Sequence, residues 1–233
     1  MSATRLPGKP LLKINGISII SHVFKRAESA NIGEVVVAAE DEEIVEDVKK
    51  NGGNAILTAN YHKTGTDRIF EALKILNKKD VDFVMNIQGD EPGIDIEDIK
   101  KLDNCMKING EAKIGTLASK IFDTSVYSNK NVVKVKIKEP FKKNSFPLSE
   151  SFFRKTEIDQ NIYHHIGIYS YRLETLEKFV SLNQSKNEVI YKLEQLRALD
   201  NKIDINVARA NTSPIGIDTK EDYLAIKKIM EYK

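Results

Sequence analysis

Residues 81–92 read Val81-Asp-Phe-Val-Met-Asn-Ile87-Gln-Gly-Asp90-Glu-Pro92. The first part is a short apolar run of strand length, the pattern of a strand covered on both faces of a sheet. Gln88–Pro92 then turns the chain and sets Asp90 just beyond the strand's carboxyl end. Open α/β sheets bind their ligands at that end. A carboxylate there suits Mg²⁺, which takes a few carboxylates together with substrate phosphate oxygens. The alternative is a plain turn aspartate. Gln88, Asp90 and Glu91 clustered beside Gly89 favour the functional role.

Outward from this stretch, strands and helices alternate. Upstream, Glu34–Ala39 and Ala55–Thr58 read as strands. Ile17, Ile20, Val23, Phe24 and Ala27 follow a helical spacing, as do Asp41–Asn51, stopped by Gly52-Gly53, and Asp67–Leu76. Downstream, strands are expected at Lys113–Ile121, Asn131–Lys138, Tyr163–Tyr171 and Ile203–Ala208. Helices are expected at Asp95–Ile108, Leu173–Val180, Glu188–Leu199 and Thr219–Tyr232. The last of these has Thr219 and Asp222 at capping-box spacing. The order predicts an α/β fold with a mostly parallel central sheet and helices on both faces. Residues 139–162 are polar and weakly patterned, and are expected to form a loop or arm that leaves the sheet. With no repeat and no linker, residues 1–233 read as one domain carrying an inserted arm at about 123–162.

Composition narrows the function. Thirty-six basic and 34 acidic residues leave a formal charge of +2. Non-specific nucleic-acid or membrane binding is therefore not indicated, and any anion site must be local. A single cysteine excludes an internal disulfide and a cysteine-cluster metal site. Cys105 is expected to be a small core residue. No signal-peptide core and no apolar run of membrane-spanning length is present, so a cytoplasmic location is expected.

Several other segments can carry chemistry. In Arg5-Leu-Pro-Gly-Lys9, Pro7 and Gly8 favour a tight loop, and Arg5 and Lys9 can supply fixed positive charge to a polyanion. A surface turn with two cations fits the same residues. His62-Lys-Thr-Gly65-Thr-Asp-Arg68 joins a loop to a helix start, where free N–H groups favour an anion and Thr64, Thr66 and Arg68 add donors. Its alternative is capping by Thr66 with an exposed Arg68. Asp218 precedes the last helix and reads as a cap by itself; paired with Asp90 it becomes a second metal ligand. His164 and His165 are adjacent on a strand and point to opposite faces, which does not suit one zinc ion. Glu194-Gln195 present either hydroxyl-binding groups or a solvated helix face.

Taken in order, these segments resemble the 3-deoxy-manno-octulosonate (Kdo) cytidylyltransferase family. The likeness rests on Arg5-Leu-Pro-Gly-Lys9-Pro-Leu11, His62-Lys-Thr-Gly-Thr-Asp-Arg68, Asn86-Ile-Gln-Gly-Asp-Glu-Pro92, Asn131-Val-Val-Lys134-Val, His165-Ile-Gly-Ile-Tyr169, Glu194-Gln-Leu-Arg197 and Gly216-Ile-Asp218-Thr. It implies a Rossmann-like nucleotidyltransferase, dimeric through its arm, that makes CMP-Kdo and pyrophosphate from CTP and Kdo for lipopolysaccharide synthesis. Asp90 and Asp218 would then hold Mg²⁺, with Arg5 and Lys9 on the triphosphate. Thr58–Gly65 would border the cytidine. Arg68, Gln88, His165, Tyr169, Glu194 and Gln195 would surround the sugar acid.

The sequence departs from the family pattern in three places. The family begins with a strand ending in Pro-Ala-Arg, which is absent here. That predicts open pairing edges, weakened CTP binding and a Met1 internal to a longer protein. The Phe-Ser-Arg segment is not recognisable, with Phe152-Phe153-Arg154-Lys155 as its candidate substitute. Asp67 stands for the usual glutamate. The same chemistry on another acidic sugar, such as a sialic-acid-like substrate, and an inactive N-terminally truncated homologue are the alternatives.

Overall fold

The computed structural model describes residues 6–78 and 80–231. A 3₁₀ turn at Lys9–Leu11 leads into β1 (Lys13–Ile14), β2 (Ile17–Ser18), α1 (Ile19–Ser29), β3 (Val37–Ala39), α2 (Glu42–Lys50), β4 (Ala55–Leu57) and α3 (Gly65–Leu76). Then come β5 (Phe83–Asn86), α4 (Ile96–Ile108), β6 (Ile114–Ser119), α5 (Ser125–Ser128), β7 (Lys134–Ile137), β8 (Ser149–Phe153) and β9 (Ile162–Arg172). The chain closes with α6 (Leu173–Ser181), α7 (Lys186–Tyr191), α8 (Leu196–Asp200), β10 (Ile205–Arg209) and α9 (Lys220–Glu231). These elements divide into two units. One holds Met1–Lys79, Ile87–Ile99 and Pro214–Lys233; the other holds Asp80–Asn86 and Lys100–Ser213.

In the first unit, Ser18 caps α1 by accepting from the Ser21 N–H, so Ile17 falls into the β1–β2 hairpin and the helix starts two residues later than Ile17. The apolar stripe of α1 then meets α2, and Phe24, Ala39, Val45, Val48 and Ala55 close one core around the parallel pair β3–β4. A second core joins Ile14, Ile19, Ile217 and Ile226, so α9 is fastened to the β1–β2 hairpin. The expected capping box of α9 is present. Thr219 Oγ1 accepts from the Asp222 N–H, and the Asp222 carboxylate accepts from Thr219 N–H at 2.9 Å.

The second unit is built on β9. Its eleven residues are long enough to pair β7 along the first half and β5 along the second, on one edge, while β6 lines the other. The strand order is β10-β6-β9-β7-β8, with β5 on β9. β9 runs antiparallel to β5, β6 and β7, and only β6–β10 runs parallel in this sheet. The sheet is therefore mixed, not mostly parallel. Parallel neighbours need a long crossover, usually helical, and the only helix in residues 120–161 is the four-residue α5. Residues 139–162 also return to the sheet. Within them β8 pairs β7, and Leu148 bridges Asn206. Among the described residues β5 pairs with β9 alone and β3 with β4 alone.

Two local features correct the sequence reading. The single helix expected at Glu188–Leu199 is two, broken at Lys192, which takes a left-handed φ of 53°. Glu188 is turned inward there to meet Arg197, and the Leu193 N–H returns to the Glu188 carbonyl. Cys105 is half-buried rather than core, and burial raises its thiol pKa. No helix among the described residues is long and apolar enough to cross a membrane.

Gly115 on β6 shows how tightly this unit packs. A Cβ there would lie 2.6 Å from Met106 Sδ and 2.9 Å from Phe146 Cζ. Gly115→Ala is expected to destabilise the protein by about 1–3 kcal/mol, read as an earlier urea midpoint with an unchanged slope.

Candidate active site

Gly8 adopts a left-handed φ of 67°, which turns the chain into the Lys9–Leu11 3₁₀ turn with Pro10 in its first positions. Among the described residues, nothing beyond its chain neighbours lies within 4 Å of a Cβ built on Gly8, and its left-handed backbone is what calls for glycine. The turn sends Lys9 inward. Its Nζ lies 2.8 Å from Asp90 Oδ2, 2.6 Å from the Ile217 carbonyl and 3.6 Å from Asp218 Oδ1. The Ile217 N–H in turn donates to the Asp90 carbonyl at 2.9 Å. Asp90 and Asp218 therefore converge on one cation. Asp218 is not the cap of α9, since Thr219 performs that task.

The donor set around Lys9 Nζ is two carboxylates and a backbone carbonyl, all hard oxygens. No cluster of three or more metal-ligating side chains occurs among the described residues. Two carboxylates with the remaining positions left to water and phosphate is the manner in which Mg²⁺ binds. The residues fit that ion, and the lysine ammonium marks where positive charge is favoured. Arg5 lies outside the described residues.

The loop after β4 is held by α3. Thr64 caps the helix, accepting from the Asp67 N–H, so Thr66 is not the cap. Arg68 donates to Thr58 Oγ1 at 2.8 Å, to the Ala59 carbonyl at 3.2 Å and to the Glu40 carboxylate. One turn further, Glu71 accepts from the Ala59 N–H at 3.0 Å and from His62 Nε2. The Ala59 residue is thus gripped at both backbone groups. His62 and the Ala59 N–H keep the Glu71 carboxyl below its ordinary pKa, against a smaller effect of burial. Arg68 is therefore engaged with its own loop and is not an exposed helix-face cation. Gln88 is exposed.

In the second unit, His165 is buried between Phe152, whose ring meets it edge-on at 5.1 Å, and Tyr169 at 5.4 Å. In a regular strand residues four apart sit about 13 Å from each other. A bulge brings these two together. Leu117 pairs with Ile166 and Thr116 with Tyr169, leaving Gly167 and Ile168 as extra residues of β9. Burial lowers the His165 pKa to about 3, and burial with the nearby Lys134 lowers His164 to about 4. His164 Nδ1 pairs with Ser213 Oγ.

Gln195 is buried at the start of α8 and Glu194 half-buried before it, so neither belongs to a solvated helix face. Their placement follows from Arg197, which bonds both oxygens of Glu188 (2.9 and 2.7 Å) and covers the Phe179 ring. Arg154, just past β8, donates to the carbonyls of Tyr191, Lys192 and Lys130. Buried Lys134 gives its ammonium to the carbonyls of Asn129, Val132 and Arg154. Desolvation, with Arg154 adding repulsion, lowers its pKa to about 8.

A profile of the family described as Cytidylyltransferase matches residues 1–205. A 3-deoxy-manno-octulosonate cytidylyltransferase of Thermodesulfovibrio yellowstonii is 41% identical over 244 residues, covering 98% of this chain and 94% of that protein. One from Bartonella tribocorum is 40% identical, covering 99% and 95%. The chain belongs to the 3-deoxy-manno-octulosonate cytidylyltransferase family. A solved CMP:2-keto-3-deoxy-manno-octonic acid synthetase complexed with CTP is similar at a TM-score of 0.87 and 32% identity, over 100% of this chain and 95% of that one.

For this cytidylyltransferase, sequence reasoning missed Glu40, Glu71, Thr116 and Glu188. The last had a readable signal, because Ser185-Lys-Asn-Glu188 is a capping box and forms one. Glu71 had none, since it reads as a charge on a solvated helix face. Glu71→Ala is expected to speed amide exchange at Ala59 by about 10–100-fold, the loss of one charge-assisted hydrogen bond. Hydrogen–deuterium exchange measures this, and Glu71→Gln should keep most of the protection. The two depressed histidines set an acid limit. Between pH 6.5 and the folded values of about 4 and 3, the unfolded chain binds protons that the fold refuses. Stability therefore falls as pH falls through that window, by up to about 1.4 kcal/mol per pH unit for His165 alone. Urea unfolding between pH 7 and 4.5 reads the slope.

Proposed function

We propose that this cytidylyltransferase transfers CMP from CTP to 3-deoxy-manno-octulosonate, releasing pyrophosphate, in the cytoplasm and as a homodimer that serves lipopolysaccharide synthesis. The observation that carries the reading is the convergence of Asp90 and Asp218 on Lys9 Nζ, at 2.8 and 3.6 Å. Its support is membership of a family whose relatives bear that enzyme's name across nearly their full length.

In the reaction the sugar's anomeric hydroxyl gives up its proton, and its oxygen forms a bond to the α-phosphorus. The bond from that phosphorus to the bridging oxygen breaks in line, and pyrophosphate leaves with the electron pair. Catalysis of such a step is mostly positioning and charge neutralisation. Asp90 and Asp218 would hold Mg²⁺, which supplies charge for the phosphates and lowers the cost of the attacking oxyanion. Lys9 would then turn from the carboxylates toward the triphosphate, a role proposed for Arg5 as well. Two of its donors already meet oxygen acceptors, Asp90 and the Ile217 carbonyl, so exchange of a carboxylate for a phosphate oxygen needs little rearrangement.

Thr58 and the loop to Gly65 border the cytidine, held by Arg68 and Glu71 from α3. Gln88 in the first unit and His165, Tyr169, Glu194 and Gln195 in the second are the residues proposed for the sugar acid. Arg154 is the candidate for its carboxylate, because its guanidinium reaches the Tyr191 and Lys192 carbonyls, one residue short of Glu194-Gln195. In this assignment Arg68 acts on the sugar only through the loop it holds.

The test is pyrophosphate release from CTP and Mg²⁺ across a panel of sugar acids. Release with Kdo and not with a sialic-acid-like substrate is expected, and the reverse selectivity would overturn the substrate assignment. Asp90→Asn should lower turnover by about 10²-fold or more, the scale for losing one preorganised charged contact at a phosphoryl-transfer centre, with an unchanged circular dichroism spectrum. Near wild-type turnover in that variant would remove Asp90 from the metal site.

A further inference from the structure

The β9 bulge leaves Gly167 and Ile168 outside the regular β6–β9 ladder, and Thr116 on β6 meets the carbonyls of both Ile166 and Ile168. Its Oγ1 lies 2.7 Å from the Ile168 carbonyl, 3.3 Å from the Ile166 carbonyl and 3.0 Å from His165 Nε2. A hydroxyl has one proton to donate and two lone pairs to accept with. The carbonyls are acceptors only, so the proton goes to them, chiefly to Ile168. What remains on Oγ1 is acceptor capacity, and His165 Nε2 must therefore carry a hydrogen and donate it. An imidazole that is protonated on Nε2 and kept neutral by burial has its lone pair on Nδ1.

We infer that Thr116 is a positioning residue that fixes His165 as the Nε2–H tautomer, so that its Nδ1 reads a hydroxyl of the sugar acid and not the carboxylate. This rests on the reading that His165 faces the sugar. An acceptor nitrogen set against a carboxylate would oppose two lone pairs, whereas a hydroxyl can donate to it. The ring is further held by the Phe152 edge and by Tyr169, and its backbone N–H donates to the Val133 carbonyl at 3.0 Å. With a folded pKa of about 3, the ring keeps this form throughout the working pH range. The division of labour that follows gives hydroxyl recognition to β9 and leaves the carboxylate to a cation.

The experiment is long-range proton–nitrogen NMR of the full chain, with the His165 ring assigned through His165→Gln. Wild type is expected to show the Nε2–H pattern, with Nδ1 at the position of an unprotonated nitrogen. A wild-type ring protonated on Nδ1, or on both nitrogens at pH 7, overturns the inference without any variant having to fold. Thr116→Val should lose the tautomer bias and raise the KM for Kdo about tenfold, the value of one hydrogen bond. The KM for CTP should stay unchanged, and Thr116→Ser should restore both readouts. Addition of Kdo to wild type should move the Nδ1 resonance. If the tautomer is Nε2–H but Kdo leaves Nδ1 unmoved, the placement of His165 at the sugar fails, and with it the claim of hydroxyl reading.

Discussion

One ammonium group ties together three stretches of chain that are remote in sequence. Lys9 follows a glycine turn near the start, Asp90 follows a strand, and Ile217-Asp218 precedes the last helix; all three meet at the lysine Nζ. Without that cation, Asp90 and Asp218 would face each other as like charges. With it, the two carboxylates share one counter-charge and are aimed at a common point. The same charge arrangement is the one on which the proposed binding of a metal and a triphosphate rests. The core of Ile14, Ile19, Ile217 and Ile226 fixes the backbone on which this meeting depends.

The second unit solves a different problem, that of holding polar groups inside a sheet without leaving them unsatisfied. Lys134 is fully buried, among the described residues no carboxylate stands against its ammonium, and three backbone carbonyls take its hydrogens. Arg197 is buried too, but against Glu188 in a bidentate pair, with the Phe179 ring below it. Removing either partner of that pair would strand a charge, which is far costlier than never having buried it. The pair is where the helix breaks, so the local backbone irregularity and the buried ion pair are one structural event.

Much of this was legible beforehand. Asp90 could be placed at a strand end because β5 is a short apolar run followed by turn residues, and both signals are local. Thr219-Lys-Glu-Asp222 announced the start of α9 for the same reason. What escaped was set by partners distant in sequence. The direction of β9 depends on a short hairpin-like return through β7 and β8, which no hydrophobic period encodes. Glu71 and Thr116 look like an ordinary surface acid and an ordinary strand residue until the backbone they satisfy, at Ala59 and at Ile168, is in place. The α/β alternation and the place of Asp90 at a strand end were therefore readable from spacing, and the hydrogen-bonding residues around Ala59 and Ile168 were not.

The bulge in β9 also bears on how this strand can change over evolution. It adds two residues, not one, so the alternation of faces resumes in phase, with His165 opposite Ala118 and Tyr169 opposite Thr116. Losing a single residue between them would exchange inside for outside along everything that follows, up to Arg172. Insertions and deletions here are tolerable only in even numbers. A homologue aligned with a one-residue gap between the histidine and the tyrosine has either been aligned wrongly or has rebuilt this half of its sheet.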